Sequence, residues 1–412
     1  MPLAPAFPVN ELKYVTNHCE ARILLASSRN WDKAGQLVSG VEENELVRLR
    51  VEELVDNEQD LSGEHIEKAQ AIDGMMLYTS GTTSQPVSIL CQRCGDHFEV
   101  NNMKKGVLLP LNTLIAQSQS LINAWRYSAQ DLVLNVLPLH HIHGTVNALL
   151  TPLLAGATVE FLYPFNAESV WDRLAAPYLD AENSGDASAV TFFSAVPTIY
   201  SRLLQSLPRM SHVIQAAARK AIMPENLRLN ISGSAALPVP IKSAWSEISS
   251  GNVLLERYGM TEAGMVLSCG LSFDDRVDGS VGWPLPGVNV RLVDTDTNET
   301  IPVGGELDDD GKPRQGEIQL QGSTVFAKYW RDPVATAKAF VEDGKKYPTP
   351  NGKWFKTGDI AVRRTIDGAG TSDQSWASGP MYFLQGRQSA DIIKTGGEKV
   401  SALEIERELL SL

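Results

Sequence analysis

The sequence predicts an α/β protein: a doubly wound, mainly parallel sheet followed by a smaller antiparallel β subdomain. Between Val107 and Tyr200, short strand-like apolar runs alternate with helical stretches, the βα alternation of parallel sheets. Beyond Val288 that alternation fades, and Val288–Val293 and Gly316–Gly322 read as strands among turn-rich segments. With 412 residues, 43% of them apolar, the chain can bury a core for one large or two ordinary domains.

Taken in order, Asn10–Val15 reads as helix and Arg22–Ala26 as strand. An acidic stretch, Val41–Gln70, follows, with Glu43–Glu53 as a solvated helix face. Met75–Leu77 and Val107–Leu111 are strands, and Leu114–Tyr127 is an amphipathic helix. Asp131–Pro138 is a buried strand that delivers His140, His141 and His143 to the sheet's carboxyl end, where open α/β sheets bind ligands. Gly156–Leu162 is a strand, Asn166–Leu174 a helix, Asp180–Ser188 a surface loop, and Val190–Tyr200 a strand running into a helix. Leu227–Leu237 is a strand ending in small residues, where a flat ring can approach the backbone. Gly316–Gly322 alternates polar with apolar and predicts a half-exposed strand; Arg364–Gly379 reads as a surface loop.

Charge and cysteine usage narrow the function classes. Lys and Arg number 36 against 49 Asp and Glu, a formal charge of −13, which disfavours nonspecific binding to nucleic acid or anionic membranes. No apolar run approaches the roughly 18 residues of a spanning helix, and four cysteines predict a reducing, intracellular compartment rather than a disulfide framework. Cys91-x-x-Cys94-x-x-His97 supplies three potential zinc ligands where a closed structural site takes four. The histidines at 140, 141 and 143 lack a companion carboxylate or Cys, so neither group is read as a metal site.

Several stretches carry nucleotide chemistry. Tyr78-Thr79-Ser80-Gly81-Thr82-Thr83-Ser84-Gln85-Pro86 follows a strand and is dense in Gly and hydroxyls, which suits a loop wrapped round a polyphosphate. The lysine of the Walker pattern is absent. In Glu256-Arg257-Tyr258-Gly259-Met260-Thr261-Glu262, Tyr258 offers a face to a purine and Thr261 a hydroxyl to a phosphate. Glu262 offers a hard carboxylate to Mg²⁺ beside phosphates. In Phe355-Lys356-Thr357-Gly358-Asp359, an ionised Asp359 can accept hydrogen bonds from ribose hydroxyls.

These stretches, in this order, resemble the acyl-adenylate-forming superfamily of acyl-CoA synthetases, luciferase and peptide-synthetase adenylation domains. The resemblance implies that Thr79, Ser80, Gly81, Thr82, Thr83 and Lys105 meet the ATP phosphates. It assigns Gly233, Ser234 and Ala235 to the adenine edge, Tyr258 and Gly259 to the nucleotide, and Thr261 and Glu262 to catalysis with Mg²⁺. Asp359 and Arg387 would meet the ribose, and Asp391, Lys394 and Gly396 would form the hinge and CoA side. His143 and Met260 would lie near the acyl group. Locally the chain looks like malonyl-CoA and methylmalonyl-CoA synthetases, which implies Arg228 and Arg276 as partners of the carboxylate not being activated. ATP, Mg²⁺ and CoA are the implied cofactors, a small dicarboxylate the implied substrate, and the cytoplasm or mitochondrion the implied compartment.

The resemblance also implies a large adenylate-forming domain over 1–386 whose start is missing, and at 387–412 only the beginning of a C-terminal lid domain. Residues 87–104 interrupt the phosphate loop, and joining Pro86 to Lys105 restores the superfamily pattern. The segment's Val-Ser start can encode a splice donor and its Lys end a splice acceptor, so a retained intron or a mis-assigned exon is expected. If translated, it either draws Lys105 from the phosphates or loops out, since long loops are thermodynamically tolerated but spoil positioning. The expectation is therefore a malonyl-CoA synthetase gene whose product, as written, is impaired. A nucleotide-binding remnant and a fatty or aryl acid ligase are the alternatives.

Overall fold

A computed structural model describes residues 1–38, 46–51, 74–79, 104–179, 187–342, 352–389, 391–395, 398–402, 405 and 409. The chain divides into two compact units, Met1–Leu111 with Lys328–Pro333, and Asn112–Ala327 with Val334–Leu412.

In the first unit, helix Val9–His18 precedes strand Ile23–Ala26, which pairs in parallel with Val47–Arg50. Leu12, Leu24, Ala34 and Leu37 form its small core with helix Trp31–Val38. Strands Gly74–Tyr78 and Gly106–Pro110 pair antiparallel with Tyr78 opposite Gly106, and Lys328–Tyr329 adds a third strand. One residue beyond that pair the Thr79 N–H donates to the Lys105 carbonyl at 3.1 Å. The Lys105 N–H returns a bond to Thr79 Oγ1 at 3.3 Å. Lys105 therefore stays across from Thr79, because ladder register rather than loop length places it.

The second unit is organised by a 13-stranded mixed sheet. Its parallel part runs, in spatial order, through Thr158–Phe161, Leu132–Asn135, Phe192–Ala195, Leu229–Ser232 and Leu255–Met260. From there the path continues antiparallel through Gly264–Ser268, Ser280–Pro284, Met381–Arg387, Trp354–Arg364, Gly316–Gly322, Val288–Asp294 and Thr300–Ile301. The β-rich segment that the sequence sets apart is thus hydrogen-bonded into the same path as the parallel strands. Gly316–Gly322 differs from its expected half-exposure: only Glu317 is partly exposed. The polar side chains are buried with partners, Gln319 accepting from Arg291 and Gln321 from Asn289, although Gln321 Nε2 has no partner among the described residues.

Helices begin where side chains can cap them. Asn166 accepts the Ser169 N–H ahead of Ala167–Ala175, and Ser211 accepts that of Ile214 ahead of His212–Ala221. With Pro197–Ser206 and Val239–Ile248 these helices bury a core in which Trp171 stacks on Trp245 at 6.0 Å and Tyr200 meets Trp245 edge-on at 4.8 Å. Among the described residues no helix is long and apolar enough to cross a membrane.

Candidate nucleotide and acyl site

Neighbouring parallel strands release their chain toward one set of side chains. After Leu132–Asn135 the chain enters a π-helix, His143–Leu150, a rare form enriched at functional positions. Its first residue, His143, is buried. Nε2 lies 2.6 Å from Ser194 Oγ on the strand Phe192–Ala195, and Nδ1 lies 3.3 Å from Ser234 Oγ in the turn after Leu229–Ser232. Burial above all, then the nearby Arg257 and His141 charges, holds the imidazole well below its usual titration range. His143 is thus a neutral ring locked between two hydroxyls. His140 and His141 stay at the surface side of the loop, half-buried and exposed.

The Gly233-Ser234-Ala235 turn is open, with Ser234 and Ala235 exposed and Ser234 in the left-handed region at φ +69°. Beneath it lies Arg257, whose Cζ would stand 2.5 Å from a Cβ at Gly233, so a larger residue there would have to displace the guanidinium. Arg257 is 3% exposed. Its Nη2 reaches Ser234 Oγ at 3.4 Å, its Nε has no hydrogen-bond partner, and no carboxylate among the described residues pairs with it. Burial pushes its guanidinium down to about 9. The adjacent Glu256 is engaged elsewhere, accepting from Lys242 Nζ at 3.0 Å.

Tyr258, next along the strand, points to the other side and donates its phenol to Asp359 Oδ2 at 2.5 Å. Asp359 lies opposite Arg387 in the ladder, and Arg387 Nε sits 3.1 Å from Oδ1. Burial raises the Asp359 carboxyl, a shift that the charge of Arg387 and the phenol oppose. Asp391 Oδ2 accepts the Arg387 N–H at 2.8 Å, and its Cβ side would collide with any side chain at Gly386. Of the residues expected at the ribose and hinge, Asp359, Arg387 and Asp391 are therefore contiguous. Gly259 leaves no room for a Cβ, which would meet the Gly264 carbonyl oxygen at 2.3 Å. Met260 and Thr261 are half-buried, and Glu262 is buried at the hairpin turn, its carbonyl accepting the Phe326 N–H at 2.7 Å.

The two arginines expected at the acyl carboxylate both make protein contacts, and Arg276 Nε has no hydrogen-bond partner among the described residues. Arg228 grips Asp131 bidentately, both bonds at 2.6 Å, and donates to the Trp125 carbonyl at 3.0 Å. Arg276 is buried and donates to the Val253 and Leu271 carbonyls. In the first unit, Lys105 Nζ lies 4.7 Å from the centre of the Tyr329 ring. Ser80, Gly81, Thr82, Thr83, Gly396 and the Cys91–His97 group lie outside the described residues, and of Lys394 only the backbone, in strand Ile392–Thr395, is described. Among the described residues no group of three or more His, Cys, Asp or Glu gathers as a metal cluster.

Arg257 is the residue the sequence reading passed over as motif flank. Its signal was present: an arginine in Leu254-Leu255-Glu256-Arg257-Tyr258, a strand otherwise fit for burial.

Residues 103–330 match the AMP-binding enzyme family, a match that begins just before Lys105. The chain is 51% identical to a CoA ligase of Gibberella moniliformis over all of its own length and 68% of that protein. It is 40% identical to the mitochondrial malonate–CoA ligase of Mus musculus, over 82% of the chain but 51% of the relative, so it spans about half of that protein. Among solved structures, ATP-bound MatB from Rhodopseudomonas palustris superposes with TM-score 0.70 at 28% identity, covering 100% of this chain and 68% of that one. A malonyl-CoA ligase with methylmalonyl-CoA and AMP bound gives TM-score 0.64 at 30% identity, covering 100% of this chain and 71% of that one. The family match over more than half the chain and the extended identity to the fungal ligase place the chain in the AMP-binding enzyme family.

Proposed function

We propose that this chain carries the large part of an ATP-dependent, AMP-forming acyl-CoA ligase for malonate or methylmalonate. The observation that carries the substrate class is Arg257: a buried guanidinium without an acid partner among the described residues, beside neutral His143 and under an open turn. Burying an uncompensated charge is unfavourable, and a second substrate carboxylate would relieve it by a charge-assisted, bidentate contact. The malonate–CoA ligase relatives support this reading.

The reaction is acyl transfer through a mixed anhydride. The substrate carboxylate attacks the α-phosphorus of ATP, pyrophosphate leaves, and the CoA thiol then displaces AMP. The first step needs no general base, because the nucleophile is already anionic; positioning and charge neutralisation supply the rate. Tyr258 would face the adenine and Asp359 with Arg387 the ribose, while Thr79 to Thr83 and Lys105 would meet the phosphates. Glu262, a buried hard carboxylate, fits a Mg²⁺ ion held mainly by phosphate oxygens. That ion would offset phosphate charge when bound. Asp391, Lys394 and Gly396 form the proposed hinge to a lid, with 387–412 as the lid's first part. The mitochondrial relatives favour a mitochondrial over a cytoplasmic location.

Pyrophosphate release by the 412-residue chain with ATP, Mg²⁺ and malonate, set against octanoate and benzoate, tests the proposal. Release with malonate above a Glu262→Ala control is expected. Release only with the monocarboxylates overturns the substrate assignment. AMP binding without release from any acid would assign the chain as a nucleotide-binding remnant.

A further inference from the structure

Asp359 is 8% exposed, and its two oxygens are held from opposite sides: Oδ2 by the Tyr258 phenol at 2.5 Å and Oδ1 by Arg387 Nε at 3.1 Å. The holders come from different places in the chain, Tyr258 from Leu255–Met260 and Arg387 from Met381–Arg387, the ladder partner of Asp359's own strand. Below the carboxylate the backbone is fixed as well. The Asp359 N–H donates to Thr357 Oγ1 at 3.0 Å, Thr357 donates on to the Ile318 carbonyl at 2.7 Å, and the Gly358 N–H reaches Glu317 Oε1 at 3.1 Å. An ionised carboxylate offers about four lone-pair sites. With one donor among the described residues on each oxygen, each oxygen keeps an acceptor site, and the pair of sites matches a vicinal diol.

We infer that Tyr258 is a positioning residue as well as an aromatic face: its phenol sets the orientation in which Asp359 receives a ribose diol, and so sets the preference for ribonucleotides over deoxynucleotides. The inference rests on the nucleotide reading above. Arg387 alone leaves the carboxylate free to rotate about its own Cβ–Cγ bond; two donors from opposite sides remove that freedom before the ligand arrives. Pre-ordering of this kind strengthens hydrogen bonds that a single restraint leaves to be ordered at binding.

Tyr258→Phe tests it, since the ring face is kept and one oxygen is removed. Equilibrium binding of ATP, 2′-deoxyATP and 3′-deoxyATP to the full chain is measured for both proteins. A hydrogen bond to a charged group contributes about 1.5–3 kcal/mol, so the unaltered chain is expected to prefer ATP by at least roughly tenfold. In Tyr258→Phe, ATP should weaken about tenfold while the deoxynucleotides barely change, narrowing the preference to within about threefold. Tyr258→His, which restores a ring N–H donor, should recover part of it, and it replaces Tyr258→Phe if that variant proves insoluble. An unchanged preference in Tyr258→Phe, or an equal loss for all three nucleotides, overturns the positioning role and leaves the nucleotide reading standing. If the unaltered chain binds none of the three, the nucleotide reading itself fails, and the inference with it.

Discussion

The two ends of the candidate site treat charge in opposite ways. At Asp359 every carboxylate oxygen already has a donor, one of them a formal cation. At Arg257 a guanidinium is buried with one long contact to a hydroxyl and an unpartnered Nε. The Asp359 charge is paired within the fold, whereas Arg257 has no acid partner among the described residues. Unpaired buried charge lowers stability and persists where function requires it. The other arginines differ from one another: Arg228 is paired with Asp131, whereas Arg276 donates to main-chain carbonyls while its Nε, like that of Arg257, has no hydrogen-bond partner among the described residues.

The sharpest break in this contrast is Arg257→Met. Truncating one member of a desolvated charge pair costs about 2–5 kcal/mol, so kcat/KM for malonate should fall by roughly 10² to 10³ or more. Because the charge is unpaired in the free chain, the melting temperature should hold or rise. A melting temperature that drops instead would mean that Arg257 is structural. Next in size, Arg228→Ala strands a buried Asp131 carboxylate and should lower stability by about 3 kcal/mol, read by urea unfolding, with KM for malonate little changed. A large KM change with intact stability would return Arg228 to the acyl pocket.

Acidity probes the other end. Burial raises the Asp359 carboxyl, so its ionised form disappears at a higher pH than that of an exposed aspartate. Nucleotide affinity, which uses that ionised form, should be full at neutral pH and fall as pH drops through the raised value; isothermal titration across pH 4–7, a range chosen to be about three units wide around the carboxylate values, checks the sign. The smallest effect expected is that of Ser194→Ala. It removes one of two hydroxyls on His143, and losing a neutral hydrogen bond of about 1 kcal/mol predicts a rise in KM for malonate of roughly fivefold.

Much of the site was legible because its chemistry is local. Tyr258-Gly259-Met260-Thr261-Glu262 and Gly233-Ser234-Ala235 are short stretches whose residue types announce a ring, a phosphate and a turn, and the structure sets both at strand ends of one sheet. The expected division into a parallel sheet and a separate β subdomain was less secure, since strand propensity does not state which edge pairs with which. Period alone also misread Gly316–Gly322, whose polar residues are buried with each other's kind for partners.

By itself the sequence determined the order of motifs, the α/β class and the side-chain inventory, because these depend on neighbours a few residues apart. Only the tertiary structure decided how each arginine is partnered. Arg228 and Arg276 look as suitable as Arg257 in a linear chain, and the difference arises from partners far off in sequence: Asp131, 97 residues from Arg228, and the carbonyl of Val253, 23 residues from Arg276. The same holds for the Tyr258 phenol and Asp359, which meet across 101 residues. Charge compensation is a property of the packed chain, since a buried ion is paired or unpaired only by what folding brings beside it.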